Sequence, residues 1–294
     1  MAAVLSRPAP GRLYVVATPI GNLEDITLRA LRVLREAAVI AAEDTRRTGK
    51  LLAHAGITTP MLSLHAHNET GRVPQVLARL HQGEDVALVT DAGTPLVSDP
   101  GDQLIQSALA TGLKVEPVPG ASAVLAALTM AGVPASRFTF LGFPPVKIAA
   151  RRRWCLEVTT YEHPVVFFEA PHRIRQTLEV LAEVSGPARR VALCREITKR
   201  HEELVHGAVG DLASHAAVLS PRGEFTCVVE AAAADGPAGR ADDAQLTAEF
   251  YRMTKIDGLE RRDALNTVAR RYRVRARDVF AAVARTKDAR ADED

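Results

Sequence analysis

Three stretches of this sequence, rich in glycine, proline and small polar residues, are well suited to hold a ligand. They are residues 18–22 (TPIGN), residues 91–101, which begin DAGTP, and residues 119–123 (PGASA). Glycine lets a backbone approach a ligand closely, and proline fixes the course of a loop. Each stretch alone is equally typical of a tight turn, but three of them in one chain favour a ligand site.

Carboxylates stand in or near these stretches. Asp91 and Asp99 can accept hydrogen bonds from an amine or a ribose, and Ser122 can hold a ligand group or cap a helix. Glu43 and Asp44 directly follow a further apolar run, so at least one of them points toward the same edge. One of these two could accept a proton from a substrate hydroxyl, although Asp44 could equally cap the next helix.

Several common cofactor motifs are absent from the sequence. The first stretch contains no G-x-G-x-x-G, which disfavours a nicotinamide or flavin site, and no G-x-x-x-x-G-K-[ST] phosphate loop occurs. His65 and His67 could offer two imidazoles, but no third ligand lies at a typical spacing. We therefore expect no metal.

The elements that must position these residues are predicted from apolar periodicity. Short runs rich in β-branched residues predict strands, and leucines at helical spacing predict helices. The predicted strands are 13–17, 39–42, 61–64, 86–90 and 114–118, and the predicted helices are 26–38, 45–55, 73–80, 102–111 and 122–131. This alternation indicates an α/β fold with a mostly parallel sheet.

A second α/β half and a helical tail follow. Strands are predicted at 138–141, 165–168, 191–194, about 204–206 and 225–230, with a helix at 174–184, and their close succession indicates a mixed sheet. The domains are therefore placed at 12–133 and 134–231, with a linker at 232–243 and a helical appendage of three short helices at 244–287. This appendage carries 11 Lys and Arg against 5 Asp and Glu, although the whole chain has a net charge of only +2. Such a basic segment fits nucleic-acid binding and solvated helix faces about equally.

The composition is that of an ordinary globular protein. The 294 residues are 47% hydrophobic and 24% charged, which allows two domains of usual size. Cys155, Cys194 and Cys227 form no C-x-x-C pair, so a reducing, cytoplasmic location is expected. Residues 1–12 are unlike a signal peptide, and no run approaches the roughly 18 apolar residues of a membrane span.

Nine short motifs follow one another within residues 13–230. They are TPIGNLEDIT (18–27), AEDTR (42–46), HAHNE (65–69), DAGTP with SDPG (91–95 and 98–101), PGAS (119–122), FLGFP (140–144), FEAPHR (168–173), CREITK (194–199) and RGEF (222–225). In this order they resemble the ribosomal RNA small subunit methyltransferase I family, a branch of the tetrapyrrole (corrin/porphyrin) methylases. Two places depart from the family pattern, namely residues 145–154 and Arg222, where the family often has lysine.

That resemblance implies two αβα domains of the tetrapyrrole-methylase type, with S-adenosylmethionine in the cleft between them, and a homodimer. It implies 2′-O-methylation of a cytidine ribose in small-subunit (16S) ribosomal RNA. Methyl transfer from a sulfonium is mainly a problem of positioning and needs no metal. The resemblance also implies the cofactor-binding residues, which are Pro19, Asp91, Gly93, Thr94, Asp99, Ser122, Glu169, Gly223 and Glu224.

The substrate side is assigned by residue type and by the same motifs. Glu43 and Asp44 are the catalytic candidates, and the RNA-binding candidates are Arg46, His67, Glu69, Arg151, Arg152, Arg153, Arg195 and Lys199. The arginines and Lys199 suit phosphate contacts, but each could also form an ordinary salt bridge or lie on a solvated helix. A lone histidine is more often structural than catalytic.

Two other functions stay open at this level. An enzyme of the same fold could methylate a carbon of a tetrapyrrole ring, and a non-catalytic RNA-binding assembly factor could retain the cofactor pocket. The basic tail, the arginine cluster at 151–153 and the motifs at 65–69 and 168–173 favour the ribosomal RNA methyltransferase.

Overall fold

The computed structural model describes residues 9–215, 218, 223–231, 242–256, 258–272 and 274–291, and the chain divides into two compact units. The first unit runs to Ala126 and also takes in Glu196–Glu202, and the second contains Ala127–Arg195 and the chain from Glu203 onward. Residues 232–241 of the predicted linker and Arg222 lie outside the described residues. No described helix is long and apolar enough to cross a membrane.

The first unit is built on a five-stranded parallel sheet, as the alternating pattern predicted. Its strands, in the spatial order β3-β2-β4-β1-β5, are β1 Arg12–Val16, β2 Val39–Ala42, β3 Met61–Ser63, β4 Val86–Val89 and β5 Lys114–Val118. Every neighbouring pair is parallel. The loops after β1, β2, β4 and β5 therefore all leave from one edge of the sheet.

Helices cover both faces of this sheet because its strands β2 and β4 are apolar and buried at every residue. In β2, Val39 and Ala41 pack in one buried cluster while Ile40 and Ala42 pack in another. Alternate side chains of a strand point to opposite faces, so an unbroken apolar run requires cover on each. The helices are α1 Leu28–Glu36, α2 Thr45–His54, α3 Glu69–His81 and α4 Asp102–Ala110, with a 3₁₀ turn at Leu23–Asp25. Helix α5 Ala123–Ala131 follows β5, and the boundary between the two units falls within it, after Ala126.

The second unit contains a mixed five-stranded sheet, again as predicted. Its strands, in the order β6-β7-β10-β8-β9, are β6 Thr139–Phe140, β7 Val165–Glu169, β8 Arg190–Arg195, β9 Glu203–Ala208 and β10 Phe225–Val229. Only the β6–β7 pair of these is parallel. Helices α6 Ile148–Val158, α7 Ile174–Ser185 and the short α8 Val209–Leu212 accompany it. The sequence did not predict α6, because charged residues interrupt its apolar pattern.

The basic tail folds into three helices with a small core of its own. They are α9 Asp243–Tyr251, α10 Arg261–Arg271 and α11 Ala276–Ala291, and a π-helical turn, Arg252–Ile256, follows α9. Phe250 and Met253 are fully buried between them, together with small residues such as Ala264 and Ala282. Three short helices were predicted here, and three are present among the described residues.

Gly11 lies where the chain enters β1, directly against the backbone that leads into β4. A Cβ atom at Gly11 would lie 2.0 Å from the carbonyl oxygen of Glu84 and 3.0 Å from the backbone nitrogen of Asp85. Since backbone cannot rotate aside as a side chain can, only glycine fits without a shift of the sheet.

We predict that Gly11→Ala destabilises the protein by about 1–3 kcal/mol, the usual cost of overpacking. Gly71→Ala is the matched control, because Gly71 lies in α3 and nothing lies within 4 Å of its added Cβ. Alanine is favoured over glycine in helices, so this control keeps or raises stability. Urea unfolding followed by circular dichroism measures both, and equal midpoints for the two variants would contradict the prediction.

Candidate active site

The loops after β1 and β4 are joined by their backbones. Thr18 and Gly93 form an antiparallel bridge in which Thr18 N–H donates to the Gly93 carbonyl at 2.9 Å and Gly93 N–H donates back at 3.1 Å. The buried Thr18 hydroxyl also donates to the Thr90 carbonyl at 3.1 Å. Since β1 and β4 are neighbours, these bonds fix the first and second predicted ligand loops side by side.

Three carboxylates meet at the same edge, after β2 and β4. The Asp91 N–H donates to Oε2 of Glu43 at 3.2 Å, and the Asp44 N–H donates to Oδ1 of Asp91 at 3.0 Å. Each loop thus uses a carboxylate of the other to satisfy its backbone. No described residue forms a hydrogen bond to the second oxygen of Glu43, Oε1. All three carboxylates are half-buried, and two of them pair with arginines, Asp44 with Arg46 at 2.8 Å and Asp91 with Arg47 at 3.3 Å.

Asp44 has a structural role at this edge, because it is the N-cap of α2. Its Oδ1 accepts a hydrogen bond from the Arg46 N–H at 2.8 Å, and its Oδ2 lies 2.8 Å from the Arg46 guanidinium. These bonds to Arg46, first the side chain and then the backbone, hold the pKa of Asp44 well below its usual value. A carboxylate bound in this way is a weak proton acceptor.

The second loop, residues 91–101, contains two strained positions. Leu96 and Ser98 have φ values of 77° and 71°, in the left-handed region that non-glycine residues rarely adopt. Strain of this kind costs on the order of 1–3 kcal/mol per residue and collects at functional sites. In the same loop Thr94 and Asp99 are half-buried and the side chain of Leu96 is exposed.

The third loop, residues 119–123, lies against the end of β1. A Cβ at Gly120 would lie 3.0 Å from the Cβ of Ala17. Ser122 caps α5, since its hydroxyl accepts a hydrogen bond from the Leu125 N–H at 3.4 Å. The capping alternative for Ser122 is therefore the contact that the structure shows.

The segment Glu196–Glu202 is the part of this edge that the sequence did not indicate. A Cβ at Gly21 would lie 2.5 Å from Cγ of Lys199 and 3.0 Å from the Ile197 carbonyl, so the segment packs directly on the first loop. Glu196 and Thr198 have positive φ values, 52° and 66°. The Lys199 ammonium lies 2.7 Å from Oε1 of Glu196. Lys199 is thereby placed beside the first ligand loop.

Three of the predicted ligand-binding side chains are buried and form hydrogen bonds or ion pairs within the protein. Glu69 is 3% exposed, and its carboxylate accepts a hydrogen bond from the Leu104 N–H at 3.1 Å, in the first turn of α4. Glu169 is 1% exposed and binds Arg173 at 3.0 Å and the Thr177 hydroxyl at 2.6 Å. Arg151 is 3% exposed. Protein groups thus bind polar atoms of all three side chains, including two carbonyls bound by Arg151, and their ligand role stays a prediction.

The remaining predicted residues are accessible to different degrees. Arg195 pairs with Glu203 at 2.6 Å and Lys199 with Glu196 at 2.7 Å, which is the salt-bridge alternative for these two residues. Arg152, in α6, pairs with Glu183 at 2.6 Å. Arg46, Arg153, His67 and Glu224 are exposed, and Pro19 and Gly223 are half-buried. The rings of His65 and His67 meet edge to face at 6.0 Å. No group of three His, Cys, Asp or Glu side chains within the described residues could hold a metal ion.

Comparison with known proteins gives this geometry a context. The sequence model of the tetrapyrrole (corrin/porphyrin) methylases matches residues 12–213. A crystal structure of uroporphyrin-III C-methyltransferase from Thermus thermophilus, complexed with S-adenyl homocysteine, has a TM-score of 0.53 and 20% sequence identity, and the match covers 75% of this chain and 98% of that one. The fold and the matched segment thus define a protein of the tetrapyrrole methylase class.

Two curated relatives show which family within the tetrapyrrole methylases this chain resembles. One, from Pseudomonas aeruginosa, is 47% identical over 84% of this chain and 86% of its own length, and the other, from Synechocystis, is 40% identical over 92% and 96%. Both are named ribosomal RNA small subunit methyltransferase I. The chain belongs to the ribosomal RNA small subunit methyltransferase I family.

The cap on α2 gives a testable prediction. Asp44→Ala removes the acceptor for the Arg46 N–H and lowers the melting temperature, whereas Asp44→Asn keeps an oxygen for the cap, loses only the ion pair with Arg46 and lowers the melting temperature by less. The lowered pKa means that the charged form stabilises the fold above the ordinary pKa of an aspartate and that this contribution is lost as the pH falls. Differential scanning calorimetry at pH 7 checks the order, and equal losses in both variants would exclude a capping role.

Proposed function

We propose that this protein transfers the methyl group of S-adenosylmethionine to the ribose 2′-hydroxyl of a cytidine in small-subunit (16S) ribosomal RNA. The observation that carries the proposal is the edge where Glu43 and Asp91 bind each other's loops, in a chain of this family. The curated relatives favour RNA over a tetrapyrrole as the substrate. A cytoplasmic location follows from a ribosomal substrate, and we propose a homodimer by the family resemblance.

The residues at this edge fit the proposed cofactor by their charge. S-adenosylmethionine supplies, when bound, an electrophilic methyl group on a positively charged sulfur. Glu43 is half-buried and, unlike Asp44 and Asp91, forms no ion pair with an arginine of the described residues, so its carboxylate suits such a cation. We assign its binding to the three loops of the first unit, through Pro19, Asp91, Gly93, Thr94, Asp99 and Ser122.

Glu43 is the better of the two candidates for the proton acceptor. Its Oε2 is held by the Asp91 N–H, which orients the side chain, while Oε1 has no described hydrogen-bond partner. In contrast, both carboxylate oxygens of Asp44 are bound, one by the backbone N–H that it caps in α2 and the other by the Arg46 guanidinium. Glu43 can therefore receive the hydroxyl proton of the ribose on Oε1 as the 2′ oxygen becomes a nucleophile.

RNA phosphates need accessible cations. Arg46, with 88% of its side chain exposed, and Lys199 lie in the first unit near the candidate edge, and Arg153 is exposed on α6. The tail adds Arg262 on α10 and Arg277 on α11, both exposed. We propose that these side chains hold the RNA backbone and leave recognition of the cytidine to other groups.

Transfer itself is tested with tritiated S-adenosylmethionine and small ribosomal subunits from a strain that lacks this protein. The proposal is supported if the label is found at one cytidine and the phosphodiester bond on the 3′ side of that cytidine becomes resistant to alkaline cleavage. Label in a porphyrinogen, or binding of the cofactor with no turnover on any RNA, would contradict it in favour of a tetrapyrrole enzyme or an assembly factor.

We predict that Glu43→Gln lowers kcat by roughly 100-fold or more, which is the usual contribution of a general base, with little change in KM. Asp44→Asn keeps the cap and is expected to retain kcat within a few-fold. Single-turnover methylation of small subunits at several pH values measures both variants. A larger loss in Asp44→Asn than in Glu43→Gln would reverse the assignment.

We predict that the double variant Arg262→Gln/Arg277→Gln weakens RNA binding and reduces its salt dependence. Each lost phosphate contact lowers the slope of log K against log salt by about 1. Arg32→Gln/Arg175→Gln is the matched control, because it removes the same charge from two helices, α1 and α7, where the arginines pair with Glu36 and Glu179. Filter binding across salt concentrations measures these slopes. If the double variant has the same slope as the wild type, the tail does not contact RNA phosphates.

A further inference from the structure

The loop between β6 and α6 of the second unit carries three exposed apolar side chains. Phe143 is 53% exposed, Val146 74% and Ile148, the first residue of α6, 68%. Exposed apolar residues are common singly, but a group of three on one short loop needs an explanation. We call residues 141–148 the aromatic loop.

Two arginines, Arg151, which is buried, and Arg173, which is partly buried, hold the backbone of the aromatic loop in place. Arg151 donates from Nε to the Pro145 carbonyl at 3.0 Å and from its guanidinium to the Val146 carbonyl, also at 3.0 Å. Arg173 donates to the Pro144 carbonyl, and Glu169 orients Arg173 from a fully buried position. Because the carbonyls face the interior, the loop is fixed with its apolar side chains outward.

The carbonyls on either side of residues 144–146 also accept hydrogen bonds. The Phe168 N–H donates to the Gly142 carbonyl at 2.8 Å, and the Arg151 N–H donates to the Lys147 carbonyl at 2.9 Å. Carbonyls 142, 144, 145, 146 and 147 are thus all satisfied by the body of the unit. A loop held at this many points presents its side chains without an ordering cost on binding.

Phe143 is supported by other rings on one side. Its ring packs against Phe168 at 5.6 Å between centroids, and Phe168 in turn meets Phe140 edge to face at 4.9 Å. About half of the Phe143 side chain stays accessible beyond these contacts. A supported ring with an open side is the usual geometry of a stacking platform.

The exposed charge on the aromatic loop is positive, since it is that of Lys147. Within the aromatic loop and the motif that holds it, residues 168–173, the exposed charged or titratable side chains are Lys147 and His172. The one carboxylate of these two segments, Glu169, is buried and paired with Arg173. An apolar ring on the same loop as Lys147 complements a nucleobase with its phosphate. A symmetric contact with a second copy would instead bring Lys147 toward its own counterpart, which is a like charge.

We propose that the aromatic loop is a platform on which Phe143 stacks an unpaired base of the RNA substrate while Lys147 contacts a neighbouring phosphate. Unpaired bases in RNA are commonly recognised by stacking on aromatic side chains. Phe143 is then a residue that binds the substrate away from the reacting atoms. The inference rests on the proposed RNA substrate and extends it to a site in the second unit.

The test uses the full-length protein with small ribosomal subunits that lack the modification. Phe143→Ala is expected to raise Kd and KM about 10-fold or more and to leave kcat nearly unchanged, because stacking contributes to binding only. Phe143→Trp keeps a stacking surface and retains affinity, whereas Phe143→Leu keeps an apolar side chain but loses affinity. Leu109→Ala, which removes a side chain 59% exposed on α4, is the control and changes neither constant.

Two further readouts separate the possible failures. Calorimetric affinity for S-adenosylhomocysteine stays at the wild-type value in each Phe143 variant, which shows that the fold is intact. Unchanged RNA affinity in Phe143→Ala, full recovery by Phe143→Leu, or a changed oligomeric state in light scattering would each overturn the platform. If the wild-type protein binds subunits in a Phe143-dependent way but transfers no methyl group, the proposed reaction fails and the platform stands.

Discussion

Two hydrogen bonds, made by the carboxylates of Glu43 and Asp91, hold the loops after β2 and β4 together at the candidate active site of the first unit. Each carboxylate binds the backbone at the start of the other's loop, across the neighbouring strands β2 and β4. Hydrogen bonds to a charged acceptor are stronger than neutral ones, so two of them hold together loops that have little apolar packing. Because Asp91 takes the Asp44 N–H, the Asp44 side chain is left to cap α2 and to bind Arg46.

The second unit uses charge in the opposite way, in its interior. Glu169 and Arg151 are buried and Arg173 is partly buried, and their polar atoms bind one another or the carbonyls of a loop. Removal of one partner from such a group leaves a buried charge without compensation, which is costly. These residues belong to the sequence motifs, yet in the structure they support the backbone of the aromatic loop. The exposed side chains lie on that loop.

The sequence predicted the fold well where burial alone decides it. The strands β2 and β5 were placed to the residue and the others within one or two, because apolar runs between turn residues are an unambiguous signal. Helix α6 was missed because Arg151, a charged residue in its first turns, is buried and breaks the expected pattern. Residue type likewise could not separate Glu43, at the open edge, from Glu169, inside the core, since either role selects a carboxylate after a strand.

The position of Glu196–Glu202 affects how the polypeptide can assemble. This segment belongs to the first unit, although about 70 residues of the second separate it from Ala126. A ribosome that has synthesised only the first 126 residues has therefore not yet supplied the piece that rests on Gly21. Completion of the first unit must wait for residue 202 to emerge, and by then β6, β7 and β8 of the second have already been made.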